Sequence, residues 1–293
     1  MSGRRLPGAF VALAPAALIV VLLLGGGVTT ALVESLRPLP TQAGAHPDVG
    51  AFTLEHFRAV VTAPGFVASL GLTVWVSFAS TALTLVFAVL TALALRRTRR
   101  LRRFVTYVYQ LPLTLPHMVL AAAGIMLLSQ SGLLSRVVTA VGLIETPAAF
   151  PELVNDRAGI GIIAVYVWKQ VPFVGLFALA VLQSVGEDYE ATARSLGATR
   201  LQAVRYVLVP LVAPALLPAG VIVFAFVFGA FEVPLLLGAR YPSMLSVLAY
   251  RLYTDVDLAL RPRSMALSFV IAAIVFGLVG AYRAVLAGLG RRR

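Results

Sequence analysis

The stretch SVGEDYEATARSLGATRLQAVRYVLVP, Ser184 to Pro210, separates two long apolar runs. Ser184-x-x-Glu187 has the form of a capping box, in which a hydroxyl and a glutamate satisfy the N–H groups left open at a helix start. Tyr189, Ala193 and Leu196 follow at i, i+4 and i+7, which puts them on one helical face. Gly197 suits the left-handed residue that closes a helix. Thr199-x-x-Gln202 predicts a second capping box and a second helix. That helix has Leu201, Val204 and Leu208 on its apolar face, with Arg200 and Arg205 off it. Pro210 has no N–H and predicts a break before the next apolar run. The segment therefore reads as a helix–turn–helix. Its physics fits either an amphipathic connector lying on a membrane surface or a docking element gripped by a soluble partner.

The runs on either side set the class. Of 293 residues, 60% are hydrophobic and 12% charged, with mean hydropathy +0.93. A soluble domain is about a quarter charged. This chain lacks the polar residues to cover a water-exposed surface, so an integral membrane protein is expected. Apolar windows fall at 6–33, 59–95, 104–135, 158–186, 206–238 and 264–282, uncharged except for Lys169 in the fourth and Glu232 in the fifth. Each supplies the roughly 20 residues that a spanning helix needs. The expectation is an all-α polytopic protein with six transmembrane helices and both termini on one side. The first window exceeds the about 7–15-residue apolar core of a signal peptide and is read as a helix.

Charge chooses the side. The N-terminus, the 96–103 loop, the 184–212 segment and the C-terminus carry fifteen arginines against Glu187, Asp188 and Glu190. The opposite loops carry eight arginines and eight acids. The whole net charge of +12 thus lies on one face, and the positive-inside rule predicts cytoplasmic N and C termini. The arginines are divided among short loops, which argues against nucleic acid as a partner.

There is no cysteine, and the single lysine is Lys169, so disulfides, thiolate metal sites and a P-loop are excluded. Any nucleotide must be handled by a partner. His46, His56 and His117 form no H-E-x-x-H motif, and no cofactor or metal is expected. His117 reads as a packed or hydrogen-bonded histidine, and Trp75 and Trp168 as packing or interfacial residues. The stretch 52–61 has an amphipathic helical pattern. An ionisable group on lipid costs about 2.5–3.5 kcal/mol even on gentle insertion scales. Lys169 and Glu232 must therefore face protein or water, either lining a translocation path or forming an interhelical ion pair. Pro112, Pro116, Pro172, Pro214, Pro218 and Pro234 are candidate backbone breaks or static kinks.

The opening stretch resembles the cytoplasmic EAA loop of binding-protein-dependent ABC importer permeases. That motif runs E-A-A, three residues, G, nine residues, I-x-L-P. Gly197 fits the glycine, and Val207, Val209 and Pro210 stand at the I, L and P offsets. Ala193 fits the second alanine and Thr192 replaces the first. The glutamate position falls on Ala191, with Glu190 one residue early. Residues 69–97, 111–128 and 167–185 are similar to successive spans of the family core, so the resemblance covers about 69–285.

The resemblance implies a type I ABC importer permease fold over 69–285. An N-terminal helix and outer segment (1–68) precede it, and a basic tail (286–293) follows. It implies a non-enzymatic subunit of the bacterial inner membrane, paired with a second, identical or homologous, permease subunit. A cytoplasmic ATPase dimer would grip loop 184–212, and an extracytoplasmic solute-binding protein would deliver the substrate. Residues 187–205 would be the coupling element, pivoting at Gly197. Glu187, Glu190, Ala193, Arg194 and Leu196 would lie before the pivot, and Ala198, Arg200 and Pro210 after it. Lys169 and Glu232 would line the translocation path. The strings GAFEVPLLLG (229–238) and ARSLGA resemble permeases of the polyamine, ferric-ion and phosphonate group, whereas YVWKQVPF resembles sugar permeases. A small charged solute is expected, with a sugar as the alternative. A secondary transporter would show similarly interrupted spans in two halves, and no internal repeat is visible. A membrane enzyme would cluster His, Asp or Glu at one face, and no such cluster is visible.

Overall fold

The computed structural model describes residues 6–38, 52–98, 102–184 and 188–290. Apart from short 3₁₀ turns, all regular structure among them is helix. The first window forms α1 (Leu6–Val20) and α2 (Gly26–Leu36), joined by a π-helical turn at Val21–Gly25. The amphipathic stretch forms α3 (Glu55–Val61), and the second window forms α4 (Phe66–Arg97). The third divides into α5 (Arg102–Thr114), α6 (His117–Leu128) and α7 (Leu133–Ala140). α8 (Ile160–Ser184) is followed by α9 (Asp188–Ser195), α10 (Arg200–Ala203) and, after a π-helical turn at Val204–Leu208, α11 (Val209–Gly229). The order closes with α12 (Glu232–Leu237), α13 (Leu245–Tyr253) and α14 (Arg261–Gly290). Six helical segments are long and apolar enough to cross a membrane.

Three expectations need correction. Ser184 does not open a helix. It is the last residue of α8, and its hydroxyl donates back to the Val181 carbonyl at 2.9 Å. Glu187 lies outside the described residues. Pro210 does not break the chain either, because helix runs on from Arg200 to Gly229. The π turn absorbs the proline: the Val209 N–H reaches back five residues to the Val204 carbonyl, widening the helix where Pro210 has no N–H to give. The fifth window ends at Gly229, where Ala230 turns extended with ψ 140. Glu232 therefore opens a separate short helix instead of sitting in the span.

The chain divides into two compact units, 1–66 with 248–273, and 67–247 with 274–293. In the first, the buried His56 Nε2 hydrogen-bonds the Arg37 carbonyl at 2.9 Å, tying α3 to the end of α2. In the second, α8 is the core, packed by α5, α6, α11 and α12. Two-thirds of its apolar window (67%) is buried inside the chain, against none of the first span's. Close approach makes this packing. Gly175 lies directly under the Tyr109 hydroxyl, where a Cβ would collide. That hydroxyl donates to the Val171 carbonyl and shares a hydrogen bond with Thr91 Oγ1, both at 2.9 Å, tying α8, α5 and α4 together. α4 turns a row of buried small hydroxyls inward, Ser69, Thr73, Ser77, Ser80 and Thr84. Thr73 accepts from the Leu245 N–H at 2.9 Å. Small polar residues of this kind let membrane helices approach closely.

Candidate functional site

The loop carries its expected turn. α9 ends in a Schellman motif: Ala198 N–H donates to the Ala193 carbonyl at 3.1 Å and Gly197 N–H to the Arg194 carbonyl at 3.0 Å. Gly197 has φ 91 and open space where a Cβ would stand, so backbone conformation alone demands glycine there. Thr199 and Gln202 form the reciprocal capping box, at 2.7 and 3.3 Å. Of the apolar face anticipated for α9, Tyr189 and Leu196 stay exposed and Ala193 is half-buried. Leu196 is 84% exposed and Leu201 76%, on a crest that also carries the exposed Arg194 and Arg200. Ala193 and Ala198 are half-buried beneath this crest. Glu190 points elsewhere: its two oxygens meet Arg97 Nη2 at 3.1 Å and Arg96 Nη1 at 3.6 Å, at the end of α4.

The buried charges are not paired with each other. Lys169 is 7% exposed, and its ammonium donates to the Pro112 carbonyl at 3.0 Å and the Leu115 carbonyl at 2.5 Å. The sequence explains the partners. Pro116 has no N–H, so the Pro112 carbonyl lacks its i+4 donor, and Leu115 lies in the gap between α5 and α6. The lysine thus satisfies a proline break, which a membrane interior otherwise penalises. Of the other candidate prolines, Pro112, Pro172, Pro214 and Pro218 lie inside helices, as does Pro234 within α12. Glu232 is half-buried at the start of α12, while His117 opens α6 and Tyr166 lies within α8. Phe226 packs on both, with ring centroids 4.9 Å from His117 and 6.3 Å from Tyr166. Tyr166 is fully buried, and neither its hydroxyl nor His117 Nε2 has a hydrogen-bond partner among the described residues. Sequence reasoning missed Tyr166 and Phe226, which sit in apolar runs with no charge to draw attention.

A cavity of about 600 Å³ opens between α5 and α8, lined by Arg103, Thr106, Tyr107, Gln110, Leu179 and Gln183. Arg103, Thr106 and Gln110 recur at i, i+3 and i+7, a polar face on an otherwise apolar region. Among the described residues the lining has one cation, several neutral donors and no acid.

Six spanning helices, a proline break satisfied by a buried lysine and an exposed helix–turn–helix define a polytopic transport subunit. The chain belongs to the binding-protein-dependent transport system inner membrane component family, whose profile matches residues 84–289. It is 30% identical over 230 residues to the molybdenum transport system permease protein ModB of Mycobacterium tuberculosis, covering 77% of this chain and 83% of that one. It is 26% identical over 234 residues to the sulfate transport system permease protein CysT of Salmonella typhimurium, covering 80% and 81%. In fold it is similar to a chain of a bacterial ABC transporter that imports the acidic polysaccharide alginate. The TM-score there is 0.74 at 18% identity, over 94% of this chain and 95% of that one. The protein is thus a non-enzymatic ABC importer permease subunit of the inner membrane, with ATP hydrolysis in a separate subunit.

Proposed function

We propose that this chain forms half of the path of an importer for a small tetrahedral oxyanion of the molybdate or sulfate kind. The observation that carries this is the similarity to a molybdenum permease over most of both chains. The sequence strings leaned towards the polyamine, ferric-ion and phosphonate group, and the relatives move the reading to oxyanions. The cavity between α5 and α8 supports it, because Arg103, Thr106, Gln110 and Gln183 offer an anion donors. Lys169 holds open the α5–α6 break beside the path, and Glu232 reaches the path with His117. A second permease subunit completes the channel, and a binding protein on the outer side delivers the anion.

The arginine-rich face, with the loop, is cytoplasmic. Leu196 and Leu201 enter a cleft of the ATPase, flanked by Arg194 and Arg200, and Gly197 sets the angle between the two helices. The test is uptake into proteoliposomes holding the permease, its ATPase and its binding protein. Radiolabelled molybdate should accumulate only with ATP inside the vesicle compartment that faces the loop. Unlabelled sulfate or molybdate should compete, and maltose should not. No accumulation of molybdate, with ATP-dependent accumulation of radiolabelled maltose in its place, would establish the sugar alternative instead.

A further inference from the structure

We propose that Glu190, Arg96 and Arg97 form an internal strut that delivers the coupling helix's movement to α4. Glu190 on this view is a positioning residue inside the permease and not a contact for the ATPase. The proposal rests on the reading of α9 as the coupling element.

Covalent connections carry a displacement of α9 only to α8, through residues 185–187, and to α11, through α10 and the π turn. α4 has no such link, since Arg97 and Glu190 stand 93 residues apart. The ion pairs supply one. Both carboxylate oxygens are engaged, each by a guanidinium from a different one of two consecutive residues. The Arg97 contact is a charge-assisted hydrogen bond at 3.1 Å, and Arg96 adds a second, longer ion pair at 3.6 Å. The Glu190 side chain is 19% exposed and that of Arg96 8%, so this carboxylate is withdrawn from a docking surface on which Leu196 is 84% exposed.

α4 is built to pass the movement on. It is one unbroken helix of 32 residues. Six residues before Arg97, Thr91 joins the Tyr109 hydroxyl, which also holds α8. A push at Arg97 therefore reaches the α4–α5–α8 tie within two helical turns. The displaced motif position fits the same scheme. Ala191, where the family pattern places its glutamate, lines the same small cavity as Arg96, Arg97, Glu190 and Arg194. From position 190 the carboxylate meets Arg96 and Arg97. Among the described residues, Arg96, Arg97 and Arg194 line that cavity together with Glu190. Neutralising Glu190 removes the carboxylate that both guanidiniums meet, a larger change than losing one ordinary surface pair.

The test uses the purified assembly of permease, ATPase and binding protein in proteoliposomes. The readouts are retained ATPase and solute transported per ATP hydrolysed. Glu190→Gln and Arg97→Gln should each keep the ATPase bound and hydrolysing, while transport per ATP falls at least fivefold. The double variant should lose no more than the worse single one, because both act through one interaction. Loss of the ATPase from Glu190→Gln would make Glu190 a partner contact and overturn the proposal. Unchanged transport per ATP, or additive losses in the double variant, would overturn it as well. If the unaltered permease retains no ATPase, it is the coupling reading itself that fails.

Discussion

Lys169 is the residue on which the membrane part of the structure turns. A buried ammonium on lipid would be expelled, yet here it meets the Pro112 carbonyl, which Pro116 leaves without its i+4 donor, and the Leu115 carbonyl in the gap between α5 and α6. Replacing it by methionine keeps the volume and removes both bonds. Leaving buried acceptors unpaired costs about 1–3 kcal/mol, so Lys169→Met should lower the thermal denaturation midpoint of the detergent-solubilised permease by several degrees. Glu232 carries a different expectation: Glu232→Gln should change molybdate uptake severalfold with assembly intact, and unchanged uptake would remove it from the path. The sequence marks both residues, because a charge in an apolar window must be explained. It does not reveal the lysine's partners, because a carbonyl freed by Pro116 becomes a ligand only when α8 packs beside the break.

At the scale of elements, the informative features are two helix interruptions and one that does not occur. The α5–α6 break follows from Pro116, and Pro116→Ala should heal it. Position 116 would then offer its N–H to the Pro112 carbonyl and compete with Lys169. Uptake should fall while expression and ATPase retention hold, as measured by transport and co-purification. In the loop, Gly197 and the Thr199–Gln202 box were legible because each is a local backbone demand met by one residue type. The end of α11 was not, because hydropathy continues through Glu232 to Gly238 while the backbone turns at Ala230. Pro210 misled for a related reason: a missing N–H shows in the sequence, but the π turn that absorbs it does not. The hydroxyl row of α4 was open to reading, since Ser69, Thr73 and Ser77 recur every four residues, yet its packing role depends on neighbours distant in sequence.

At the scale of the whole molecule, charge and hydropathy carry most of the account. Six spans and an arginine-rich face are properties of sums over many residues, which a sequence states directly. The absence of native cysteine makes the orientation simple to check. A cysteine at Ser195 should react with an impermeant maleimide only from the cytoplasmic side, and one at the outer-loop position Ser131 only from outside. The transported solute was less legible, because donors that meet an anion come from different helices, such as Arg103 on α5 and Gln183 on α8. The claim that governs the rest is that the exposed crest around Gly197 couples the spans to an ATPase. Affinity purification from membranes tests it directly, with the intact permease beside Gly197→Asp. The intact protein should bring down a cytoplasmic ATPase, and the variant, strained at a φ of 91 that lies beyond the left-handed well side chains can occupy, should lose it. An intact permease that retains no ATPase would contradict the account.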